Sequence, residues 1–506
     1  MNRKIGVILS YLLMIFEVMS TLLLTPFIIR TLGQAEFGVY KLSMTVTGYL
    51  LLLDLGVGNA IVRFIAKYRA TKERIKEQQF FGVAMIFYGI IGIISFIIGI
   101  IVINYFPKIF SKGLTLEEII LGQKLMFLTT TNVAITLMTS CYNNIILAYE
   151  NYKFSRLCSI VQIIFRVLVT YVVLILGFKS IGITFINLLS LVLCRIILIY
   201  YVTKKIKLKP LFSNIDKDFV KEIVLYSSLI FIQMIATQLN SSLDSILLGS
   251  LVSSSTILIG IYSIGTQITQ YYQSIGSAFN GVLMAGIVNM VEDKDKFNNI
   301  VDEMIRIGRI IFMVLGLIWS CFLINGKNFI VLWAGKENMT SYYVSIILMT
   351  AYLFILTEAI GTQILWALNE HKEQAYLKMI IVLLNIVLTV VLIKWNPLIG
   401  ATIGTFISLI LGDVFVMNFI FKKKLKMRLL YYYKNLFKGI VPCMIIICLI
   451  GHFINKAIGE NWIEFFIKNL IMVSIYVFLM LVYGMNQYEK NLVFPIINIK
   501  KILKRR

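Results

Sequence analysis

Residues 49–70 read YLLLLDLGVGNAIVRFIAKYRA. The stretch begins as an apolar run typical of a helix in lipid, but it contains Asp54, Gly56 and Gly58 before it ends in basic residues. We predict one continuous span over 38–64, with Asp54 and Arg63 on different turns of it. A charge inside a span costs about 2.5–3.5 kcal/mol on insertion scales and therefore usually faces a helix bundle or a wet cavity. Asp54 is thus predicted either to fix a contact between helices or to line a cavity and couple an ion.

The composition is that of a protein lying mostly in lipid. Of 506 residues, 59% are hydrophobic and 14% are charged, and the mean hydropathy is +0.87. Soluble domains carry roughly 25% charged residues, so we predict an all-α membrane protein with many spans. The chain has two histidines, and its six cysteines lie in apolar segments without paired spacing, so we expect no metal or cofactor site. It has no P-loop motif, so we expect no ATPase site.

The apolar stretches predict about fourteen transmembrane helices. A faint repeat, in which a shift of 222 residues pairs Tyr40 with Tyr262 and Thr47 with Thr269, indicates two lobes around a central site. The predicted parts are an N-terminal lobe of six helices (1–209), a C-terminal lobe of six helices (210–425), and two C-terminal helices with a basic tail (426–506). The predicted spans are 5–29, 38–64, 80–103, 121–148, 153–176, 180–203, 221–250, 256–290, 307–331, 342–368, 376–394, 398–421, 436–455 and 462–484.

The charge distribution predicts the orientation. The formal net charge is +23, and 35 of the 48 Lys and Arg residues fall on the side that holds the N-terminus, against 11 on the other. Basic residues collect in cytoplasmic loops, so both termini are predicted to be cytoplasmic. The same distribution argues against nucleic acid as a partner. The basic amphipathic loops at 204–221 and 422–435 are predicted to bind anionic lipid.

Two arginines within spans are candidates for binding an anionic substrate. Arg166 lies thirteen residues beyond Lys153, roughly 20 Å along a helix, so it cannot easily reach the headgroups. Arg195 is closer to its helix end and could snorkel. A guanidinium in a cavity suits a diphosphate through its charge and paired donors. The alternative for Arg166 is a static salt bridge to an acid such as Glu17 or Asp54.

Four acids within spans are candidates for coupling transport to an ion gradient. Glu17 and Glu358 lie near the middles of their spans, and Asp54 and Asp244 complete the set.

Polar stripes on spans seven and eight either bridge helices or line a cavity, where they would suit sugar hydroxyls. Four of these residues are predicted to bind substrate: Gln233, Gln270, Gln273 and Asn280. The remaining members are Thr237, Ser241, Asp244, Thr266 and Ser277.

Two segments carry a resemblance to a known family. LLLTPFIIRTLGQAEFGVYKLSMTVTGYLLLLDLGVGNAIVRFIAKYRA (22–70) resembles the start of bacterial polysaccharide flippases of the Wzx type. These belong to the multidrug/oligosaccharidyl-lipid/polysaccharide exporter superfamily. LDSILLGSLVSSSTILIGIYSIG (243–265) resembles a segment of the second lobe of the same family. Within the matching motifs, Arg30, Asp54 and Arg63 are candidate site residues.

The resemblance implies a fold and an activity. The fold is two six-helix bundles around a central cavity, with two extra C-terminal helices. The activity is movement of undecaprenyl-diphosphate-linked oligosaccharide from the inner to the outer leaflet of the bacterial cytoplasmic membrane, by alternating access coupled to an ion gradient. We expect a transporter rather than an enzyme, with polysaccharide polymerase machinery as a partner.

Two other functions remain open. A drug or small-molecule exporter of the same superfamily should have a smaller, more acidic and aromatic cavity, which Arg166 and Arg195 argue against. A membrane polymerase or ligase of polysaccharide units typically carries a sizeable outer loop with polar catalytic residues, and no such loop is predicted in this sequence.

Overall fold

The computed structural model describes residues 2–212, 234–235, 238–239, 242–292, 300–368, 370 and 372–491, without the side chains of 2–7, 279–292, 372 and 375. Every regular element within these ranges is helical, as predicted. The helices are α1 Asn2–Gly48, α2 Val57–Ala70, α3 Arg74–Phe110, α4 Leu116–Ala148, α5 Tyr152–Ile175, α6 Lys179–Tyr200, α7 Ser242–Leu251, α8 Thr256–Glu292, α9 Ile300–Ala334, α10 Ser341–Ala367, α11 Lys372–Ile393, α12 Pro397–Leu409, α13 Met417–Lys424, α14 Leu429–Phe437, α15 Ile440–Ala457 and α16 Trp462–Leu479.

Eleven helical stretches in the described part of the chain are long and apolar enough to cross a membrane. The first, Ile8–Ala70, has 63 residues and covers the first two predicted spans; its helix is broken at Gly33, where φ is +76°. The other ten cover predicted spans three to six and nine to fourteen. Helix α8 covers the eighth, and most of the seventh lies outside the described residues. The chain is therefore a multi-pass helical membrane protein.

The second predicted span is not one continuous helix, and this part of the prediction is wrong. After α1 the chain forms a 3₁₀ helix, Tyr49–Asp54, and then turns through Leu55 and Gly56 before α2 begins. Leu55 has φ of +54° and Gly56 has φ of +75°, a conformation that interrupts a right-handed helix. Asp54 and Arg63 consequently lie on different helices.

The chain divides into two compact units, Met1–Ser263 and Ile264–Arg506. In the first unit α3 packs closely along α4, because a Cβ at Gly99 would lie 2.2 Å from Thr130 Cγ2. A core of buried apolar side chains from α2, α3, α4 and α6 surrounds Phe80, Tyr88 and Ile145. The predicted three-part division at 209 and 425 stays a prediction.

The second unit has its own core at one end of its spans. Side chains of α9, α10, α13 and the short helix α14 pack around Phe421 and Tyr432. Helix α14 joins the spans ending with α13 to the C-terminal pair α15 and α16, both of which pack on α9. A π-helical turn, Ile410–Val416, carries α12 into α13.

Candidate functional site

The break after α1 positions a polar cluster inside the first unit. Tyr88 of α3 donates a hydrogen bond of 2.7 Å to Asp54 Oδ1, and the backbone of Gly56 also bonds this carboxylate. The Asn144 side chain of α4 bonds the same tyrosine hydroxyl. Gly58 leaves room for Asn144, whose Nδ2 would lie 2.8 Å from a Cβ at that position. Asp54 therefore ties the break to α3 and α4.

Arg195 of α6 lies near the same cluster. Its guanidinium is close enough to Cys194 and to Cys141 of α4 to interact electrostatically with them, and Cys141 interacts electrostatically with Tyr88. The Arg195 Nε is buried and has no hydrogen-bond partner. No carboxylate in the described ranges lies within 4 Å of the guanidinium. We call Asp54, Tyr88, Cys141, Asn144 and Arg195 the first-unit polar cluster. Its half-buried guanidinium forms no ion pair with any acid among the described residues.

Arg166 of α5 lies near a second polar pair. Tyr40 of α1 is hydrogen-bonded to Asn187 of α6 and interacts electrostatically with Arg166. The Arg166 side chain is half-buried, and no acid among the described residues forms an ion pair with it. The predicted salt bridge to Glu17 or Asp54 is therefore absent from this structure.

The acid of the seventh predicted span is buried. Asp244 of α7 is 2% exposed, and Tyr262 of α8 donates a hydrogen bond to its Oδ2. Nearby, the Gln238 side chain donates to Ser242 Oγ over 2.9 Å. Of this polar stripe, Asp244 thus contacts the neighbouring helix α8.

The other stripe residues differ in exposure or lie outside the described part. Gln270 is exposed and Gln273 is half-buried. Gln233, Thr237 and Ser241 lie outside the described residues, as does the side chain of Asn280.

Glu358 is the buried acid of the second unit, 3% exposed on α10. Asn418 of α13 donates to both carboxylate oxygens, over 3.2 and 3.1 Å, and Tyr433 of α14 donates to Oε1. Tyr433 lies outside the spans, and burial together with the neighbouring Glu358 charge raises the pKa of its hydroxyl. Glu358 thus holds α14 against the spans.

Besides Gln270, three predicted site residues are exposed and do not belong to a cluster. Glu17 lies on an exposed face of α1 with Ile15, Phe16 and Met19. Arg30 is exposed three residues before the break at Gly33, and the exposed Arg63 guanidinium lies 5.9 Å from the Phe64 ring. Of the predicted residues, Asp54 and Arg195 are linked within the first unit through Tyr88 and Cys141, and the two charges do not form an ion pair with each other.

The partners of these charges were not predicted. Tyr88, Asn144, Asn418 and Tyr433 are distant in sequence from the charges they contact, and nothing in their local sequence distinguishes them. Arg309, which was not among the predicted site residues, is 4% exposed. It pairs with Glu489 and donates to the carbonyls of residues 435, 436, 438 and 484.

Comparison with known proteins identifies the family. A model of the family described as "Polysaccharide biosynthesis protein" matches residues 5–285, more than half of the chain. The chain belongs to this family. The match includes both segments on which the resemblance to polysaccharide flippases rested, and every member of the first-unit polar cluster.

A curated relative of this polysaccharide biosynthesis protein is a probable flippase, AglR, from Haloferax volcanii. The two are 29% identical over 184 residues, which cover 35% of this chain and 37% of the relative. The matched part is thus little more than a third of the relative's length.

Solved structures share the fold of this polysaccharide biosynthesis protein. The lipid II flippase MurJ, in an inward closed conformation, has a TM-score of 0.71 at 16% identity and matches over 96% of this chain and 99% of its own. An inward-facing multidrug resistance MATE transporter of the MOP superfamily has a TM-score of 0.60 at 15% identity, over 82% and 95%. At these identities the likeness is one of fold. The predicted exporter-superfamily fold is confirmed.

Proposed function

We propose that this protein moves undecaprenyl-diphosphate-linked oligosaccharide from the inner to the outer leaflet of the bacterial cytoplasmic membrane. The observation that carries the proposal is Arg195. Its guanidinium has a buried, unpartnered Nε and no carboxylate within reach among the described residues. A desolvated cation is costly when unpaired, so a site that keeps one is suited to an anion that arrives with the substrate.

A diphosphate fits this arrangement chemically. A guanidinium offers paired N–H donors that match phosphate oxygens, and it stays charged inside a protein. Arg166 is a second cation without an acid partner in the described part of the same unit. We assign both arginines to the diphosphate. The polar stripe residues Gln270 and Gln273, together with Gln233 and Asn280, are assigned to the sugars.

The family and relatives support the same class of activity. Family membership places the protein in polysaccharide biosynthesis, AglR is a probable flippase, and MurJ is a flippase for lipid II. The charge bias of the loops supports cytoplasmic termini and hence transport outward. Alternating access driven by an ion gradient is part of the proposal, with Glu358 as the coupling acid.

The drug-exporter alternative draws on the MATE structures of the same fold. Organic cations would be repelled by arginines that pair with no acid among the described residues, whereas an anionic lipid would be attracted. We therefore favour the lipid-linked substrate.

A deletion strain tests the function. Loss of a flippase should leave the complete lipid-linked unit in the inner leaflet, unextended, and a plasmid copy should restore surface polysaccharide. Loss of a polymerase would instead leave single lipid-linked units in the outer leaflet, and loss of a ligase would leave untransferred lipid-linked chains there. Normal polysaccharide together with increased drug sensitivity would overturn the proposal in favour of the exporter.

A further inference from the structure

A polar cavity lies at one end of the second unit's spans, and the Arg309 side chain described above forms part of its wall. It has a volume of about 410 Å³ and forms where the first turns of α9, the end of α14 and the chain after α16 meet. Because α15 starts and the final span ends at this level, the cavity lies at a membrane–water interface. Its size is in the range of small-molecule sites. Its charged and polar walls include Asp302, Arg306, Lys438 and Asn486.

The two arginines of the cavity are already neutralised. Arg309 forms part of the wall, pairs with Glu489, and donates to carbonyls at the ends of α14 and of the final span. Arg306 pairs with Glu303, and its guanidinium lies 5.0 Å from the Tyr488 ring. Neither arginine leaves an uncompensated charge for a ligand.

One cation and one anion in the walls are not neutralised. Lys438 has no carboxylate within 4 Å in the part of the chain that is described. Asp302 accepts one hydrogen bond, of 3.0 Å, from the Tyr431 hydroxyl, and this bond raises the pKa of Tyr431. The cavity therefore offers a positive and a negative contact on different elements.

The rim of the cavity is apolar. Two tyrosines of the cavity wall are exposed, Tyr431 to 49% and Tyr483 to 73%, and their rings supply this apolar surface. At a membrane surface such side chains lie among acyl chains and headgroups rather than in water. A ligand with a charged head and apolar tails would contact both the walls and the rim.

We propose that this cavity binds the headgroup of an aminophospholipid such as phosphatidylethanolamine, with its phosphate against Lys438 and its ammonium against Asp302. A primary ammonium donates three hydrogen bonds, which the Asp302 carboxylate can accept. Phosphatidylcholine has no N–H to donate, and phosphatidylglycerol has no cation for Asp302. The inference requires only the membrane-spanning fold, so its failure would leave the proposed transport untouched.

Lipid binding to the purified full-length protein tests the inference. Native mass spectrometry would compare phosphatidylethanolamine, phosphatidylcholine and phosphatidylglycerol with identical acyl chains. Phosphatidylethanolamine should bind about fivefold tighter than the other two, because phosphatidylglycerol lacks the ion pair to Asp302 and phosphatidylcholine lacks the N–H donors that bond its carboxylate. Equal binding of all three lipids would overturn the inference.

Three variants separate the two contacts. Lys438→Gln should weaken the binding of phosphatidylethanolamine about fivefold. The substitution keeps the backbone carbonyl of residue 438, which accepts a hydrogen bond from Arg309. Asp302→Asn should remove the preference over phosphatidylcholine. Lys434→Gln, at an exposed lysine of α14 outside the cavity, should change neither. Equal effects of Lys434→Gln and Lys438→Gln would contradict the assignment.

Free O-phosphoethanolamine separates a lipid site from a soluble-phosphate site. At concentrations equal to the lipid it should not displace phosphatidylethanolamine, because it lacks the tails that contact the rim. Full displacement at equal concentration would overturn the assignment to a lipid.

Discussion

Asp54 combines two roles at the scale of a single side chain. Its carboxylate ends the 3₁₀ helix by bonding the Gly56 backbone, and it contacts α3 through Tyr88. From the sequence, Asp54 was predicted either to fix a contact between helices or to couple an ion, and the structure shows the contact between helices. Its role in ion coupling stays a prediction. Because a buried carboxylate needs its donors, the Tyr88 hydroxyl should be important for folding.

Tyr88→Phe should destabilise the folded protein by about 1–3 kcal/mol, since it leaves a partly buried carboxylate with one donor fewer. Thermal unfolding in detergent would measure the change. The matched control is Tyr142→Phe on α4, whose hydroxyl contacts only the Met85 sulfur at 3.7 Å. Equal stability of the two variants would show that the bond to Asp54 contributes little.

Arg195→Ala should yield folded protein that no longer supports surface polysaccharide. Losing a charge-assisted hydrogen bond to the substrate costs about 1.5–3 kcal/mol, or roughly tenfold to a hundredfold in binding. Arg195→Lys should retain part of the activity, because lysine lacks the planar fork. Size-exclusion chromatography would measure folded protein, with Lys205→Ala, an exposed cation after α6, as control. A fully active Arg195→Ala protein would remove Arg195 from the site.

Arg166 is tested by the same two substitutions, to alanine and to lysine. No acid in the described ranges pairs with it, so Arg166→Ala should not lower the amount of folded protein. It should lower flipping, measured as surface polysaccharide, and Arg166→Lys should restore part of it. A loss of folded protein that is rescued by removing an acid would instead reveal a static ion pair.

At the scale of elements, the turn through Leu55 and Gly56 separates α1 from α2 and directs Asp54 toward Tyr88. The LGVG sequence contained the signal, since glycine tolerates a positive φ. The predicted span followed hydropathy instead, which does not register a break inside an apolar run.

Gly56→Ala should destabilise the protein by about 1–2 kcal/mol, because an L-residue at φ of +75° is strained. Gly89→Ala on α3 is the control, since a Cβ there meets nothing within 4 Å. Thermal unfolding of the two variants in the same detergent would compare them. If both variants were equally stable, the conformation at residue 56 would not require glycine.

Helix α14 is the second element with a specific role, because it is held by Glu358 through Tyr433 and by Arg309 through its last carbonyls. If Glu358 couples an ion, Glu358→Gln should reduce gradient-driven transport while leaving substrate binding largely intact. Glu17→Gln tests the exposed acid in the same assay. Normal transport by both variants under an imposed gradient would exclude coupling through these two acids.

For the whole molecule, the sequence predicted helical class and family well and contacts poorly. Hydropathy reports burial in lipid directly, so the bounds of α3 to α6 and of α9 onward agree with the predicted spans within a few residues at most ends. The partners of Glu358 could not be predicted, because Asn418 and Tyr433 lie 60 and 75 residues away along the chain. The burial of Arg309 could not be predicted either, because it depends on elements more than a hundred residues later in the chain.

Orientation is a prediction for the whole molecule. In a background without the six native cysteines, single cysteines at Lys112 and Lys336 should react with an impermeant reagent from outside the cell. Cysteines at Lys72 and Lys207 should react only after the membrane is opened. All four positions are exposed, so burial does not confound the comparison. Reversed labelling would overturn the positive-inside argument and, with it, the outward direction.

Transport by the purified protein tests the central claim most directly. Liposomes containing undecaprenyl-diphosphate-linked oligosaccharide would be prepared with and without the protein, and the sugar facing the outer solution would be oxidised with impermeant periodate. With wild-type protein and an imposed ion gradient, the oxidised fraction of the sugar should exceed that in liposomes that contain the substrate but no protein. Arg195→Ala protein should give the same oxidised fraction as these protein-free liposomes. Equal oxidation with and without active wild-type protein would contradict the account.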